Sequence, residues 1–511
     1  SYDNINASQN ESATFTVHVD TDIELGEIVF ELAVSAQGLD GYSYSNNLEF
    51  SIPVSLYQDG FPFVTDFEVK SSPISVDFDN DGDFELVFGD KNGLVHIVSQ
   101  DGSEWETDLF PFDTGDEIWG AIAYADLDLD GFGEIVVTSK SKHLYALNAN
   151  GVLFDFDAGQ YLMGTPAIGN LDEDAFLEVV VSGYTSSGDI FIVNHDESST
   201  VIEINEKALG GVSLADFDGD SIDEIVIATE SNDMLCVIDY EGTIDTLYIA
   251  EDKFKVSPSV VNVNNQKLIM VGSHDNNFYA FDSSGEIVFS VQSSDEINSS
   301  AAFLGVGQGV MAVFGSDDGQ IFSVFPDGSM PEGWPIQIDD EVGTASFSDL
   351  DGDGSAEIIV PANNNIYVFN QDGSNFNPLY FPIQTEFPLT SAPLIHDIDG
   401  DDDLELIIGS SLNLIAIDIM SQGGVNSGYW NLYRGNNMRS GYFDADASCS
   451  NIQLGNLNCD QNIDIFDIII TVNIILGNIT PSDIQLWAAD IDGNQEIDVS
   501  DIVTIINMII G

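Results

Sequence analysis

Six acidic nonapeptides recur along the chain at intervals of roughly 45 residues. Each places Asp or Asn at its first position, Asp at its third and fifth positions, and Glu at its ninth. Side-chain oxygens at that spacing suit a hard cation that takes six to eight oxygen ligands, such as Ca²⁺. The nonapeptides therefore predict about six calcium sites. The candidate ligands are Asp77, Asp79, Asp81, Asp83 and Glu85; Asp126, Asp128, Asp130 and Glu134; Asn170, Asp172, Asp174 and Glu178; Asp216, Asp218, Asp220 and Glu224; Asp349, Asp351, Asp353 and Glu357; and Asp397, Asp399, Asp401 and Glu405.

Apolar segments with strand character flank each nonapeptide, such as ELVFG, EIVVT and EIIVP on the carboxy-terminal side. Two further positions keep the same phase without the ligands: one at Asn262, Asn264 and Gln266, and one at residues 304–309. Eight units of about four strands each predict a mainly β fold, an eight-bladed β-propeller over residues 58–443, with seven blades left open. Calcium is not expected in blades five and six.

A second mark recurs in phase with the acidic loops. It consists of an aromatic residue followed by proline, at Phe61-Pro62, Phe110-Pro111, Trp334-Pro335 and Phe381-Pro382. This phase favours a packing role between strands for Trp334 over a role as a platform for sugar stacking.

These units resemble FG-GAP/VCBS repeats, the extracellular calcium propellers that also form the heads of integrin α-chains. The resemblance rests on the in-phase acidic motif, which covers most of the chain. It implies a ring of seven or eight blades, and the eight recurrences favour eight. The segment GFPFVTDFEV at residues 60–69 is expected to supply the outer strand that closes the last blade.

Both arginines of the chain, Arg434 and Arg439, lie in the segment YWNLYRGNNMRSGYF at residues 429–443. The segment is similar to a tail that follows or closes many bacterial propellers. We expect it to secure the ring closure, with the arginines pairing with nearby Asp or Glu. The alternative is that the guanidinium groups hold an anionic ligand.

Two near-copies of an acidic loop followed by an apolar helix make up residues 450–511. Their oxygen residues match the ligand positions of an EF-hand loop, and they predict two more calcium sites. The candidate ligands are Asn456, Asn458, Asp460, Asn462, Asp464 and Asp467, and Asp490, Asp492, Asn494, Glu496, Asp498 and Asp501. The pair resembles a dockerin module. That resemblance implies tethering to a cohesin-like partner, and capping of a neighbouring domain within the chain is the alternative.

Three candidate strands, ATFTVHV, GEIVFELAVSA and LEFSIPVSLY, occupy residues 1–57. They are too few for a closed sandwich, so we expect a partial Ig-like β-sandwich. Either its remaining strands lie upstream of Ser1, or another subunit completes it by self-association. A small free-standing appendage is the third alternative.

Lys and Arg number 10 against 88 Asp and Glu, which gives a formal net charge of −78. Such a surface repels phosphate backbones, so nucleic acid is excluded as a partner. No apolar run is long enough to span a membrane. Calcium and a pairing of Cys449 with Cys459 would place the protein outside the cell or on its surface. We interpret the start at Ser1, without a signal peptide, as a processed piece.

No metalloprotease, esterase or nucleotide-binding motif occurs in the chain. The sequence therefore favours a secreted, calcium-binding, non-catalytic adhesion protein, whose propeller loops bind a protein or glycan. One alternative is a polysaccharide-active enzyme, in particular a lyase, or the non-catalytic tail of a larger hydrolase with its catalytic domain upstream. Another is a self-assembling component of the cell surface.

Overall fold

The computed structural model describes residues 25–37, 41–306 and 309–445, and in the carboxy-terminal segment 454–455, 468, 471–472, 474–475, 488–489, 491, 497 and 499–510. The chain divides into two compact units. The first unit comprises Ser1–Leu56 and Asn377–Tyr380, and the second comprises Tyr57–Phe376 and Phe381–Gly511.

The described part of the first unit is a two-stranded antiparallel sheet. Strand β1 (Gly26–Gln37) pairs with β2 (Ser43–Val54) over its whole length. Two of the three predicted strands are therefore present, although β2 begins earlier than the predicted segment at residues 48–57. The third, at residues 13–19, lies outside the described residues, so the partial sandwich remains a prediction. Apolar side chains of this sheet are exposed, including Val29 at 65% and Phe50 at 49%.

The second unit contains a ring of eight sheets, which confirms an eight-bladed β-propeller. The chain enters the ring at β3 (Phe63–Val64). Blades 1 to 4 follow in chain order. Their strands are β4 (Ile74–Val76), β5 (Glu85–Gly89), β6 (Leu94–Val98) and β7 (Phe112–Asp113); β8 (Ala123–Ala125), β9 (Glu134–Thr138), β10 (His143–Asn148) and β11 (Gly151–Asp157); β12 (Ala167–Gly169), β13 (Glu178–Ser182), β14 (Ile190–Val193) and β15 (Ser199–Ile202); and β16 (Ser213–Ala215), β17 (Glu224–Ala228), β18 (Met234–Ile238) and β19 (Ile244–Ile249).

Blades 5 to 8 continue the pattern, with one extra strand in blade 5 and a ring closure in blade 8. Their strands are β20 (Ser259–Val263), β21 (Gln266–Gly272), β22 (Asn277–Asp282) and β23 (Ile287–Gln292); β24 (Ala302–Val306), β25 (Gly309–Gly315), β26 (Gln320–Val324) and β27 (Ile336–Gln337); β28 (Ser346–Ser348), β29 (Glu357–Ala362), β30 (Asn365–Phe369) and β31 (Ile383–Gln384); and β32 (Leu394–His396), β33 (Glu405–Gly409), β34 (Asn413–Asp418) and the entering β3. Strand β35 (Tyr442–Asp444) adds to blade 5 in parallel with β20.

Ring closure joins the two ends of the propeller sequence. In blade 8, Phe63 of β3 pairs with Leu414 of β34. The backbone N–H groups of Thr65 and Val69 then bond the carbonyls of Leu412 and Ser410. The prediction that residues 60–69 supply the closing outer strand is confirmed.

The second strand of most blades is a continuous apolar run, as in ELVFG of β5 and EIVVT of β9. Every residue of these two strands is buried because neighbouring blades cover both faces of the sheet.

The aromatic-proline pairs immediately precede outer strands, and all four of their peptide bonds are cis. Trp334 is 8% exposed, and its indole N–H donates to the Gln371 carbonyl at 3.0 Å. Its predicted packing role is confirmed.

Strand direction assigns every connection to one of two faces. Adjacent strands within a blade are antiparallel, so the acidic loops between first and second strands share a face with the third-to-fourth turns. We call this the acidic face. The second-to-third turns and the linkers from each blade to the next lie on the opposite face, the linker face.

Residues 425–445, here called the plug, cross the axis of the ring. In six of the eight blades the middle of the first strand donates its backbone N–H to a plug carbonyl. These hydrogen bonds run from Tyr124 to Asn437, Ile168 to Met438, Leu214 to Ser440, Val260 to Gly441, Phe347 to Trp430 and Ile395 to Asn431, at 2.8–2.9 Å. The plug therefore ties the inner strands of most blades to one segment.

The two plug arginines are fully buried. Arg434 donates to the carbonyls of Val212 and Arg439, and to the Ser213 hydroxyl at 3.0 Å. Burial lowers the pKa of the Arg434 guanidinium to about 10 and that of Arg439 to about 9.

Arg439 donates to carbonyls from two blades and from the plug itself. Its acceptors are Ile122 at 2.8 Å, Ser72 at 3.1 Å, Pro73 at 3.0 Å and Tyr433 at 2.5 Å. The expectation of Asp or Glu partners was wrong, since in the described residues the two guanidinium groups donate to carbonyl oxygens and to the Ser213 hydroxyl. Burial also removes these guanidinium groups from contact with a dissolved ligand.

The described part of the carboxy-terminal segment includes helix α1 (Val499–Ile510). It matches the apolar helix predicted after the second loop. Asp501 is fully buried and accepts the backbone N–H of Ile491 at 2.9 Å. The other eleven predicted ligands of this segment lie outside the described residues, as do Cys449 and Cys459, so the paired-loop module remains a prediction. None of the described helices is long and apolar enough to cross a membrane.

We expect Arg439→Ala to destabilise the propeller by about 3 kcal/mol or more, because several buried carbonyls lose their donor together. Arg439→Lys retains the charge but lacks the planar fork, so we expect an intermediate loss. Thermal unfolding of both variants in saturating calcium measures the effect. An unchanged melting temperature for Arg439→Ala would contradict the role assigned to the plug.

Candidate functional site: acidic loops and axial cavity

The ninth-position glutamate closes each acidic loop in the same way. One of its carboxylate oxygens accepts the backbone N–H of the second loop residue. The six bonds run from Phe78 to Glu85, Leu127 to Glu134, Leu171 to Glu178, Phe217 to Glu224, Leu350 to Glu357 and Ile398 to Glu405, at 2.6–3.0 Å. Each glutamate is also the first residue of its blade's second strand, so the loop is anchored to the core.

The first-position aspartate shapes the turn from the other side. Asp77 accepts the N–H groups of Asp81 at 3.0 Å and Gly82 at 3.1 Å. Gly82 has a φ of 99°, a conformation that a side chain would strain. Each acidic loop is numbered by its blade. Loops 2, 4 and 7 form similar hydrogen bonds to the first-position residues Asp126, Asp216 and Asp349.

These bonds bring predicted ligands from one loop within 4.8 Å of one another. The groups include Asp77, Asp79 and Glu85; Asp126, Asp128 and Glu134; Asp172, Asp174 and Glu178; Asp216, Asp218 and Asp220; and Asp349, Asp351 and Asp353. In loop 1, Asp79, Asp81, Asp83 and Glu85 also line a cavity of about 310 Å³ with Phe84 and Trp105.

Several carboxylate oxygens of the loops are buried without a hydrogen-bond donor, and this shows whether the residues fit a cation. Glu178 and Glu405 are fully buried, and the second oxygen of each, Oε1, has no hydrogen-bond donor among the described residues. Two further oxygen atoms, Asp79 Oδ1 and Asp403 Oδ1, are also buried without a donor among the described residues. A buried carboxylate oxygen without a donor is costly, whereas a divalent cation would satisfy it. The donor set therefore fits Ca²⁺.

Burial and mutual repulsion act on the same carboxylates. Burial raises the pKa of Glu85 and Glu178 to about 7, and neighbouring aspartates add to the effect. The pKa of Glu357 and that of Glu405 are raised to about 8 for the same reasons. Without a cation, these sites therefore favour protonation at a pH where an exposed glutamate is ionised.

Three acidic residues near the loops were not predicted as ligands. Asp418, at the end of β34, pairs in register with Glu405, and Asp403 lies beside Asp401. Burial raises the pKa of Asp403 to about 7. Asp223 links two loops, since it accepts the Asn170 N–H at 3.2 Å. Only strand register reveals Asp418, whereas Asp403 and Asp223 lie within their nonapeptides.

Two predicted ligands have partners that modify their sites. The side-chain amide of Asn170 donates to the Ser221 carbonyl at 2.7 Å, so its nitrogen faces the next blade. Asn148, at the end of β10, donates to Oε1 of Glu134 at 3.0 Å. Loop 2 thus has an internal donor at the oxygen that is unpaired in loops 3 and 8.

Blades 5 and 6 connect their first two strands differently. In blade 5 Val263 pairs with Gln266 across a two-residue turn, Asn264-Asn265, in which both residues have positive φ. This turn is far shorter than a nonapeptide and leaves no ligand loop. In blade 6 the corresponding residues 307–308 lie outside the described residues. The expectation that these two blades hold no calcium remains a prediction.

An axial cavity of about 840 Å³ opens on the linker face. Tyr433 of the plug lines it, so the plug forms its floor. Each of the eight linkers contributes one equivalent residue to the rim of the cavity, and that residue directly follows an apolar residue. These eight residues are Lys70, Trp119, Met163, Leu209, Lys255, Asn298, Gly343 and Thr390.

Sequence analysis missed this cavity because its rim has no shared residue type. The only available signal was the common position of the eight residues in their linkers. An acidic segment, Asp339, Asp340 and Glu341, also lines the cavity. The rim therefore carries both charges, aromatic and aliphatic surface, and an amide.

A family model described as the lambda-carrageenase β-propeller domain matches residues 179–302, from the second strand of blade 3 to the first strand of blade 6. The match covers less than half of the chain. No curated protein matches the chain.

Similar solved structures include a computationally designed protein, Ika8, at 13% identity and a TM-score of 0.47, covering 71% of this chain and 99% of that chain. The Dos1 propeller has 12% identity, a TM-score of 0.46, and coverage of 71% and 95%. The V. cholerae biofilm matrix protein Bap1 has 14% identity, a TM-score of 0.42, and coverage of 74% and 93%. Similarity at this level says nothing about a ligand.

We expect Glu178→Gln to abolish one calcium site and to lower the melting temperature in saturating calcium. In EDTA the same variant should be at least as stable as the wild type, because a buried charge has been removed. Glu203→Gln, at an exposed glutamate outside the loops, is the matched control and should change neither value. Equal calcium stoichiometry in Glu178→Gln and the wild type would contradict the assignment.

In EDTA, stability should fall as pH rises from about 5 to about 8. The folded-state pKa of Glu85, Glu178, Glu357 and Glu405 is raised, so the folded protein binds more protons than the unfolded chain across that window. In saturating calcium the trend should reverse, because protons compete with the cation. Melting curves from pH 5 to 8 test both trends, and the same pH trend with and without calcium would contradict the account.

Proposed function

We propose that this chain is a secreted, calcium-stabilised, non-catalytic binding protein whose ligand is a polysaccharide held in the axial cavity. The observation that carries the proposal is the cavity itself, which all eight linkers line and the plug closes from below. Its volume of about 840 Å³ suits a segment of a glycan chain. A ring of eight blades around one cavity gives the ligand a rigid, preformed site.

Calcium has a structural role in this proposal. Carboxylates crowd each of six loops on the acidic face, away from the linker face. A bound cation would neutralise their repulsion and fix the turn between the first two strands of the blade. The millimolar calcium that such loops require favours an extracellular location.

The polysaccharide is favoured by two independent observations. Tyr433 offers aromatic surface to the cavity, and Lys70 and Lys255 offer hydrogen-bond donors. The family model that matches residues 179–302 is named for a propeller domain of a carrageenase, an enzyme that acts on a polysaccharide.

Catalysis is the second candidate, and Tyr433 is the observation that favours it. Tyr433 lies at the floor of the cavity, and its hydroxyl is 3.4 Å from the Ser257 hydroxyl. Tyr433 and Lys70 line the same cavity, and a tyrosine and a lysine can serve as the acid–base pair of a lyase. The ultraviolet absorbance of an unsaturated product, followed during incubation with a uronic-acid polymer, distinguishes a lyase from a binding protein.

The two ends of the chain supply the proposed attachments. A dockerin-like carboxy-terminal module would tether the propeller to a cohesin-like partner or cap a neighbouring domain of the same chain. The exposed apolar side chains of β1 and β2 would support self-association through strand addition. Light scattering over a range of protein concentrations tests the second attachment.

We expect Leu209→Trp to abolish polysaccharide binding by filling the axial cavity. Ile249→Trp adds the same side chain at an exposed position of an outer strand, so it should bind like the wild type. Affinity electrophoresis against a sulfated galactan, a polyuronate and a neutral galactan, with melting temperatures for each variant, measures the effect. Failure of the wild type to bind any of these polymers would overturn the proposed function.

A further inference from the structure

Lysines are distributed unevenly between the two faces of the propeller. The chain has eight lysines, and seven of them lie in connections on the linker face. Lys70, Lys207, Lys253 and Lys255 are in linkers, and Lys91, Lys140 and Lys142 are in second-to-third turns. Lys267 alone lies in a second strand. In a chain with a net charge of −78, scarce cations are concentrated where the axial cavity opens.

Three of these lysines surround one indole ring. The ammonium nitrogens of Lys70 and Lys91 each lie 4.8 Å from the centre of the Trp119 ring, and that of Lys140 lies at 5.7 Å. The indole N–H donates to Glu117 at 2.6 Å, which fixes the ring. Cation–π attraction thus holds three positive charges around an indole that lines the cavity, and Lys70 lines the cavity with it.

Two of the three charges are already paired. Lys91 forms an ion pair with Glu68 at 2.5 Å, and Lys140 forms one with Glu117 at 2.9 Å. Lys70 has no carboxylate within ion-pair distance in the part of the chain that the structure describes. Burial lowers the pKa of Lys70, and Lys91 lowers it further, against the opposing effect of Glu68.

Lys255, which lines the same cavity from the linker before blade 5, likewise has no ion pair among the described residues. The cavity therefore contains two ammonium groups without a counter-ion. Four carboxylates line it as well: Glu68, which pairs with Lys91, and Asp339, Asp340 and Glu341 on the linker before blade 7. A ligand that carries isolated negative charges would match this arrangement better than a densely charged one.

We propose that the corner formed by Lys70 and Trp119 is a subsite for an anionic group of the polysaccharide, either a sulfate ester or a carboxylate. This inference rests on the proposed function and narrows it to charged glycans. An anionic oxygen bound at Lys70 would supply the missing counter-ion in a partly buried site. Trp119 positions the ammonium groups, since they already occupy the space over its ring.

Equilibrium binding to a sulfated galactan and to a polyuronate tests the subsite, and the two polymers separate the two anionic groups. We expect Lys70→Ala to weaken binding of at least one polymer by about tenfold or more. Lys70→Arg keeps the charge and should retain most of the affinity. Lys267→Ala, the matched control on a second strand, should bind as the wild type does. Raising the salt concentration should weaken wild-type binding and have less effect on Lys70→Ala.

Two results would overturn the subsite. One is a Lys70→Ala variant with wild-type melting temperature and wild-type affinity for both charged polymers. The other is a neutral galactan that binds the wild type as tightly as the sulfated one. If Leu209→Trp then abolishes binding of the neutral galactan, the proposed function stands and only the anionic subsite falls.

Discussion

A single hydrogen bond, repeated in six blades, couples the chemistry of the acidic face to the core. The glutamate that begins the second strand accepts the N–H of the second loop residue with one oxygen, as Glu405 does from Ile398. Its other oxygen then faces the crowded loop, and in Glu178 and Glu405 it is buried without a donor. The ring cannot bury its second strands without also burying this carboxylate. A cation in the loop resolves that constraint, and the proposed role of calcium follows from it.

The two faces of the ring differ in their electrostatic environment. On one face, carboxylates dominate the loops between first and second strands. On the other, the linkers and the second-to-third turns carry seven of the eight lysines, and two of these line the axial cavity. The plug lies between the two faces. Its two buried arginines donate hydrogen bonds to the backbone carbonyls of Ser72, Pro73, Ile122 and Val212 and are not exposed on either face. In the proposed function, stability and ligand binding therefore depend on different residues, which allows each to be tested separately.

Local motifs predicted the repeated part of this architecture well, because six of the eight blades carry the same acidic loop at the same position. The blade count, the closing strand at residues 60–69 and the packing of Trp334 all follow from that phase. Features that depend on closure were not predictable. The position of Asp418 beside Glu405 requires strand register, and the carbonyl partners of Arg439 require eight inner strands to meet at an axis. The cavity rim combines eight unlike residues, so no sequence motif marks it.

The most direct measurement is a calorimetric titration of the chelator-treated protein with calcium, combined with melting in excess calcium and in EDTA. The account predicts about eight sites, six in the propeller and two in the carboxy-terminal segment, with a large rise in melting temperature on loading. Two sites or fewer, with the same melting temperature in calcium and in EDTA, would mean that the propeller loops are acidic turns without a cation. That result would contradict the central claim.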